Sequence, residues 1–184
     1  MPITADHIRA TLTEYTDAHP EEKTALEFVH ELIDEGIDVT SRKEFRGHAT
    51  AGAVVVNGDG QALFIRHVAL DRWLTPGGHL EREDTDLLGA ALRELAEETG
   101  ITLSVSPVQS YPVHIDVHPI PANDSKAEPE HRHLDFRYLF RLEGDQGVTL
   151  QEEEVSGYAW RNVDTITDET LRARVRASLR GATP

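Results

Sequence analysis

Apolar residues in the first part of the chain recur at helical spacing. Ile3, Ile8 and Leu12 form one stripe, and Leu26, Val29, Leu32 and Ile33 form another. Residues 3–36 therefore read as two helices, interrupted at His19-Pro20. Pro20 suits the first turn of the second helix, Glu21 and Glu22 sit well near its positive end, and Gly36 fits its stop. From Ala49 the period changes. Ala53 to Val56 is a buried-strand run, Asn57-Gly58-Asp59-Gly60 is a turn, and residues 62–67 read as the returning strand. After the loop Pro76-Gly77-Gly78, Thr85 or Asp86 can cap a helix that runs to Thr99, with Leu88, Ala91, Leu92 and Leu95 as its buried side and Gly100 as its stop. Strand character returns at 103–118 and 133–142, separated by the proline-rich loop 119–129, and again at 155–160; residues 168–180 read as a closing helix. This order predicts an α+β chain, an αβα sandwich with a mixed sheet flanked by helices, rather than a regular βαβ series.

Composition narrows the chemistry. A chain of 184 residues suits one domain with a short extension. It has no cysteine, so disulfides, thiolate metal sites and a cysteine nucleophile are excluded. A net charge of -15 argues against gripping a nucleic-acid duplex, yet leaves room for a small phosphorylated substrate whose charge bound cations offset. No stretch is long and apolar enough to span a bilayer, and Met1 to Ala10 shows no secretory pattern, so a cytoplasmic location away from membranes is expected.

One predicted helix carries the chemistry. In Arg93-Glu94-Leu95-Ala96-Glu97-Glu98-Thr99-Gly100, the three glutamates fall near one another on the helix surface. Like charges at this spacing repel, and Glu97 and Glu98 also lie at the end of the helix dipole that disfavours anions. Taken alone, such a trio is a solvated acidic face. The Gly-Gly loop just upstream changes that reading, because its backbone can approach a ligand closely. Divalent cations would offset the repulsion, and oxygen ligands suit Mg²⁺ or Mn²⁺. Arg93 can pair with Glu97 or with an upstream acid.

The run Gly78, five residues, Asp84, eight residues, Arg93-Glu94-Leu95, one residue, Glu97-Glu98, one residue, Gly100-Ile101 resembles the Nudix box. Two positions depart from that signature: Asp84 stands where it has Glu, and one extra residue precedes Arg93. Glu83 is the alternative for this acid. The resemblance implies a Nudix hydrolase domain over 45–184, preceded by an N-terminal helical extension over 1–44, whose role as a cap, a homodimer arm or a packing support is open. It implies that Glu94, Glu97 and Glu98, with a Gly77 or Gly78 carbonyl, hold Mg²⁺ (or Mn²⁺), and that Arg93, Glu97 and Glu98 act in catalysis. It also implies a base or extra ligand from a later loop. Glu152, Glu153 and Glu154 are the candidates, with Glu153 the central choice. The implied activity is hydrolysis of a diphosphate linkage in a small molecule, such as a nucleoside diphosphate derivative. A ligand-sensing regulatory module on the same fold is the alternative, disfavoured by the intact helix residues. A prenyl diphosphate isomerase is disfavoured by the missing cysteine.

A second constellation is independent of the box. His114, Asp116 and His118 alternate along one predicted strand, and His131, His133 and Asp135 along another. Alternation puts each trio on one face. If the strands pair, the six side chains converge, either as a lining of the substrate pocket or as a transition-metal site. The loop 119–129 would then be placed to cover them, Arg137 would be in reach, and Trp73, Tyr111 and Trp160 are candidates for stacking on a base.

Overall fold

A computed structural model describes residues 2–102, 104–124, 127–144 and 147–180. Helix α1 spans Ala5–Ala18 and is capped by Thr4, whose side chain accepts the N–H of His7. Helix α2 spans Glu27–Asp34. It begins seven residues later than Pro20, which instead opens a three-residue 3-10 turn, Pro20–Glu22. The Tyr15 hydroxyl explains the difference. It is buried between α1 and this turn and hydrogen-bonds to Glu22, so the chain must fold back on α1 before Leu26 can bury and α2 can start.

Eight strands follow: β1 His48–Val56, β2 Gln61–His67, β3 Arg72–Leu74, β4 Gly77–His79, β5 Val105–Pro107, β6 His114–Ile120, β7 His131–Leu142 and β8 Val155–Asn162. The predicted strand at 103–118 thus divides into β5 and β6; its first residue, Leu103, and Ser125 and Lys126 of the predicted loop lie outside the described residues. Helix α3 spans Leu87–Thr99 and α4 spans Glu169–Arg180. The sheet is mixed. Strand β1, buried along its whole length, runs parallel to β7 and antiparallel to β2 and β4. Strands β5 and β6 pair with β7, and β8 pairs with β2.

Strand alternation sorts the core into two layers. Ala49, Ala51, Ala53 and Val55 of β1 and Leu134, Phe136, Tyr138 and Phe140 of β7 pack with the apolar faces of α1, α2 and α3. Val54 and Val56, with Leu139, pack on the opposite face with Leu171 and Val175 of α4. The result is a mixed sheet between helices. At the β4 end, residues 48, 50 and 52 of β1 lie on the same face as Val54, beyond the reach of α4.

Candidate active site

Asp86 fixes the start of α3, its side chain accepting the N–H of Gly89 at 2.7 Å. Gly100 ends it with a φ of +69°, a conformation that suits glycine. The helix is rotated relative to the stripe expected from sequence. Leu87, Ala90, Ala91 and Leu95 are buried, whereas Leu88 and Leu92 are only half-buried. Two alanines let the helix sit close to β1, and this turns Glu94 and Glu98 inward at 9% and 2% exposure, leaving Glu97 outside.

Arg93 ties the cluster together. Its Nε and Nη2 donate to the two oxygens of Asp84 at 2.9 and 3.0 Å. Its Nη1 donates to Glu94 at 3.0 Å and Glu97 at 2.9 Å, and Nη2 also reaches the His79 carbonyl at 2.9 Å. Asp84, not Glu83, therefore holds the arginine, and it does so bidentately despite its shorter side chain. Burial pushes the Asp84 carboxyl up, but Arg93 and the Glu81 N–H outweigh it and hold it below the usual range. The single guanidinium cannot neutralise the rest. Burial raises Glu94 to about 7, with Glu97 and Glu154 adding repulsion. Burial likewise raises Glu98 to about 8, against the Gly77 N–H bond, with Glu94, Glu154 and Glu97 adding to it.

This crowding has a measurable consequence. The folded chain binds protons at Glu94 and Glu98 more tightly than an unfolded chain, whose glutamates titrate near 4.5. Stability must fall as pH rises from there to about 8. His79 and His133 act in the opposite sense, but their folded values lie near 4 and 3, so their effect ends near 6.5. Without metal, the melting temperature is expected to drop between pH 6.5 and 8, and millimolar Mg²⁺ should flatten that drop. A melting temperature unmoved by either variable would contradict the crowding.

Strand β4 forms the wall of the cluster. The Gly77 N–H donates to Glu98 at 2.9 Å, and the Pro76 carbonyl accepts from Ala53. A Cβ on Gly77 would stand 2.8 Å from the Gly52 Cα, and one on Gly78 would stand 2.6 Å from a Glu94 carboxylate oxygen. Backbone leaves no room for a side chain at Gly77, and at Gly78 the missing side chain leaves its place to the Glu94 carboxylate. These residues suit a divalent cation in chemistry: three carboxylates of one helix in electrostatic range of one another, two of them buried, beside half-buried glycine backbone. Glu94, Glu97, Glu98 and Gly78 are the residues that would hold it.

Among the three later acids, Glu154 adds to the repulsion felt by Glu94 and Glu98. The reason is local. Residues 149–151 lie along the end of α3, with Thr149 N–H on the Thr99 carbonyl and Gln151 N–H on that of Glu98, and a turn then delivers Glu154 at the start of β8.

The histidine strands do pair. His118 faces His133, Asp116 faces Asp135, and His114 faces Arg137 across β6 and β7. The six side chains separate into two groups on that face. Asp116 and Asp135 join Asp168 around Arg137, at 3.2, 2.8 and 3.3 Å. His114 lies at the edge of this group, 3.5 Å from Asp168, and its burial lowers its pKa. His118, His131 and His133 instead gather with two residues that the sequence patterns did not single out. His48 lies beside His133 in the parallel pairing of β1 and β7, and His79 sits two positions across at the end of β4. The ring centroids of His48 lie 4.9 Å from His133, 5.0 Å from His131 and 5.2 Å from His79. The only hint in the sequence was the placement of His79 directly after Gly77-Gly78.

The aromatic candidates are mainly packing. Trp73 lies under the Arg161 guanidinium at 4.0 Å, and Tyr111 and Trp160 pack against the main core. Tyr138 is a core residue.

Comparison with known proteins agrees with the geometry. The family model described as NUDIX domain matches residues 46–181. A Lactococcus lactis subsp. cremoris protein named as a probable DHNTP pyrophosphohydrolase is 36% identical over 119 residues, covering 61% of this chain and 68% of that protein. The Caenorhabditis elegans Ap4A hydrolase in a binary complex shares the fold with a TM-score of 0.56 at 21% identity, covering 72% of this chain and 98% of that one. The Escherichia coli dihydroneopterin triphosphate pyrophosphohydrolase does so with a TM-score of 0.56 at 17% identity, covering 73% and 96%. Among the described residues no helix is long and apolar enough to cross a membrane. The family match over most of the chain, on a fold that brings the box residues to one place, shows that the protein belongs to the NUDIX family and is a Nudix-type hydrolase.

Proposed function

We propose that the protein cleaves a diphosphate linkage in a nucleoside diphosphate derivative or a related small diphosphate, by attack of water on phosphorus. The observation that carries this reading is the set of buried carboxylates Glu94 and Glu98 beside Glu97, Glu154 and the bare backbone of Gly77-Gly78, with the Arg93 guanidinium on Glu94. A divalent cation, Mg²⁺ or Mn²⁺, when bound there, neutralises the diphosphate and lowers the pKa of nearby water. The protein's own groups do the rest. Glu94, Glu97, Glu98 and Gly78 would hold the cation. Asp84 locks Arg93, and Arg93 in turn fixes Glu94 and Glu97. Glu154 takes the proton as the water oxygen bonds to phosphorus, while the bridging P–O bond breaks and the departing phosphate carries the electron pair away. The names of the Lactococcus and Escherichia coli proteins support a substrate bearing a heterocycle and a polyphosphate chain.

The test is a panel of nucleotide and pterin polyphosphates, sugar nucleotides and dinucleoside polyphosphates with Mg²⁺ or Mn²⁺, in water enriched in heavy oxygen. The expected result is cation-dependent release of products, one carrying a single heavy oxygen on phosphorus. Turnover that survives excess chelator, or a panel left intact, would defeat the reading.

A further inference from the structure

We propose that His48, His79 and His133 form a second, transition-metal site of the zinc class, on the face of β4 opposite the carboxylate cluster, with His131 in reach as a fourth ligand. Three observations carry this. First, one ring nitrogen from each of the three lies within 4.8 Å of the others, although they come from β1, β4 and β7. Donor atoms of a tetrahedral zinc site lie about 3.3 Å apart, given metal–nitrogen bonds of about 2.0–2.1 Å, so modest ring rotations close the site.

Second, the outer nitrogens are held as they are in metal-binding histidines. His48 Nδ1 lies 2.9 Å from the Glu44 carbonyl, and His131 Nδ1 lies 2.8 Å from that of Pro129. A carbonyl only accepts, so both Nδ1 atoms carry the proton and both Nε2 atoms present a lone pair inward. His131 Nε2 lies 3.3 Å from His133 Nε2, close to the ligand spacing itself. Behind His133 lies His118, whose Nδ1 is 2.9 Å from Asp116.

Third, His48 is 1% exposed, yet its Nε2 finds no hydrogen-bond partner among the described residues. A closed network of hydrogen-bonded histidines would satisfy that atom, since buried polar groups are nearly always paired. A metal ion satisfies it. The donor type sets the class of ion. Three imidazoles with no carboxylate among them suit Zn²⁺, Co²⁺ or Ni²⁺ and do not suit Mg²⁺, which the glutamate cluster suits instead. The two sites are separate in origin as well as chemistry. Alternation along β4 turns Gly78 toward Glu94 and His79 toward His48.

The experiment uses the full chain, stripped with chelator and then titrated with Zn²⁺ by calorimetry and with Co²⁺ by visible absorption. It is run on the unaltered protein, a Glu97→Gln/Glu98→Gln variant, His79→Gln and His133→Gln. The expected result is one tight equivalent of Zn²⁺ that survives in the glutamate variant, weakens by more than about tenfold in each histidine variant, and gives a tetrahedral Co²⁺ spectrum. Because a histidine variant can lose its fold, the unaltered protein is also followed by histidine ring nitrogen NMR, where Zn²⁺ should shift the Nε2 signals of His48, His79 and His133. Absence of tight Zn²⁺ binding, binding lost with the glutamates and kept without the histidines, or shifts confined to other rings would overturn the proposal. None of these outcomes bears on diphosphate cleavage, which the substrate panel tests by itself.

Discussion

Glu98→Gln is expected to lower turnover by two orders of magnitude or more while leaving the metal-free protein at least as stable as before. The two halves of this result have one cause. Glu98 is 2% exposed, and burial with three neighbouring acids raises its pKa to about 8. Its charge is therefore a cost to the folded chain above neutrality. Glutamine keeps the shape and an oxygen for the Gly77 N–H, which now sits 2.9 Å from the carboxylate, but carries no charge. The repulsion disappears and the fold gains or breaks even. The chemistry loses because a neutral amide is a poor partner for a hard divalent cation, and loss of one preorganised electrostatic contact that supports the transition state, such as an oxyanion-hole donor, typically costs about 10²–10³ in rate. Two measurements check this: turnover at saturating Mg²⁺, and melting temperature at pH 8 with and without the metal. A variant that is slow because it is unfolded, or one that is stable and fully active, would contradict the assignment.

The second large effect is on stability. Arg137→Met is expected to destabilise the fold by about 3 kcal/mol, equivalent to a melting temperature lower by roughly 6–12 °C for a chain of this size. Arg137 stands among Asp135, Asp116 and Asp168, whose carboxylates approach it at 2.8, 3.2 and 3.3 Å. Asp116 and Asp135 face each other directly across β6 and β7. Methionine fills the space of the aliphatic stem but leaves three acids with no cation between them, and a pair broken on one side costs more than the intact pair contributed. Adding Asp116→Asn and Asp135→Asn to the variant should restore most of the loss, because like charges then no longer face each other. A loss below about 1 kcal/mol in the single variant, the range of solvent-exposed pairs, would show that water screens the cluster more than its burial suggests. So would a triple variant no better than the single.

Much of the carboxylate site was legible in the sequence because its parts are local. Glu94, Glu97 and Glu98 lie on one helix with Arg93, and helical geometry alone brings them together. The inward rotation that buries Glu94 and Glu98 was not legible. It depends on how closely Ala90 and Ala91 let α3 approach β1, which is a matter of packing between elements distant in sequence. The place of Glu154 has the same origin, since the hydrogen bonds of Thr149 and Gln151 to the end of α3 set where the turn points. The helical period located α2 only approximately, because Tyr15 and Glu22 impose a turn that no local pattern announces. The histidine strands were read in correct alternation. Their partners His48 and His79 were missed because register across β1, β4 and β7 is a long-range property, and a lone histidine in a strand gives no sign of what it will face.

The burial of α1 and α2 against β1 and β7 also means that the stretch matched by the family model and the stretch that shares one core are different. The matched stretch begins at residue 46, but Ile8, Leu12, Tyr15, Leu26 and Val29 before it are at most 2% exposed. Fully burying such side chains contributes about 1.5–3 kcal/mol each, which together rivals the roughly 5–15 kcal/mol by which a whole domain is stable. The Arg174 guanidinium of α4 reaches back to Glu21 and Glu22, so the two ends of the chain close on each other. Cooperative unfolding should therefore take the helices and the sheet together. The family match draws one boundary in this molecule, and the buried core draws another.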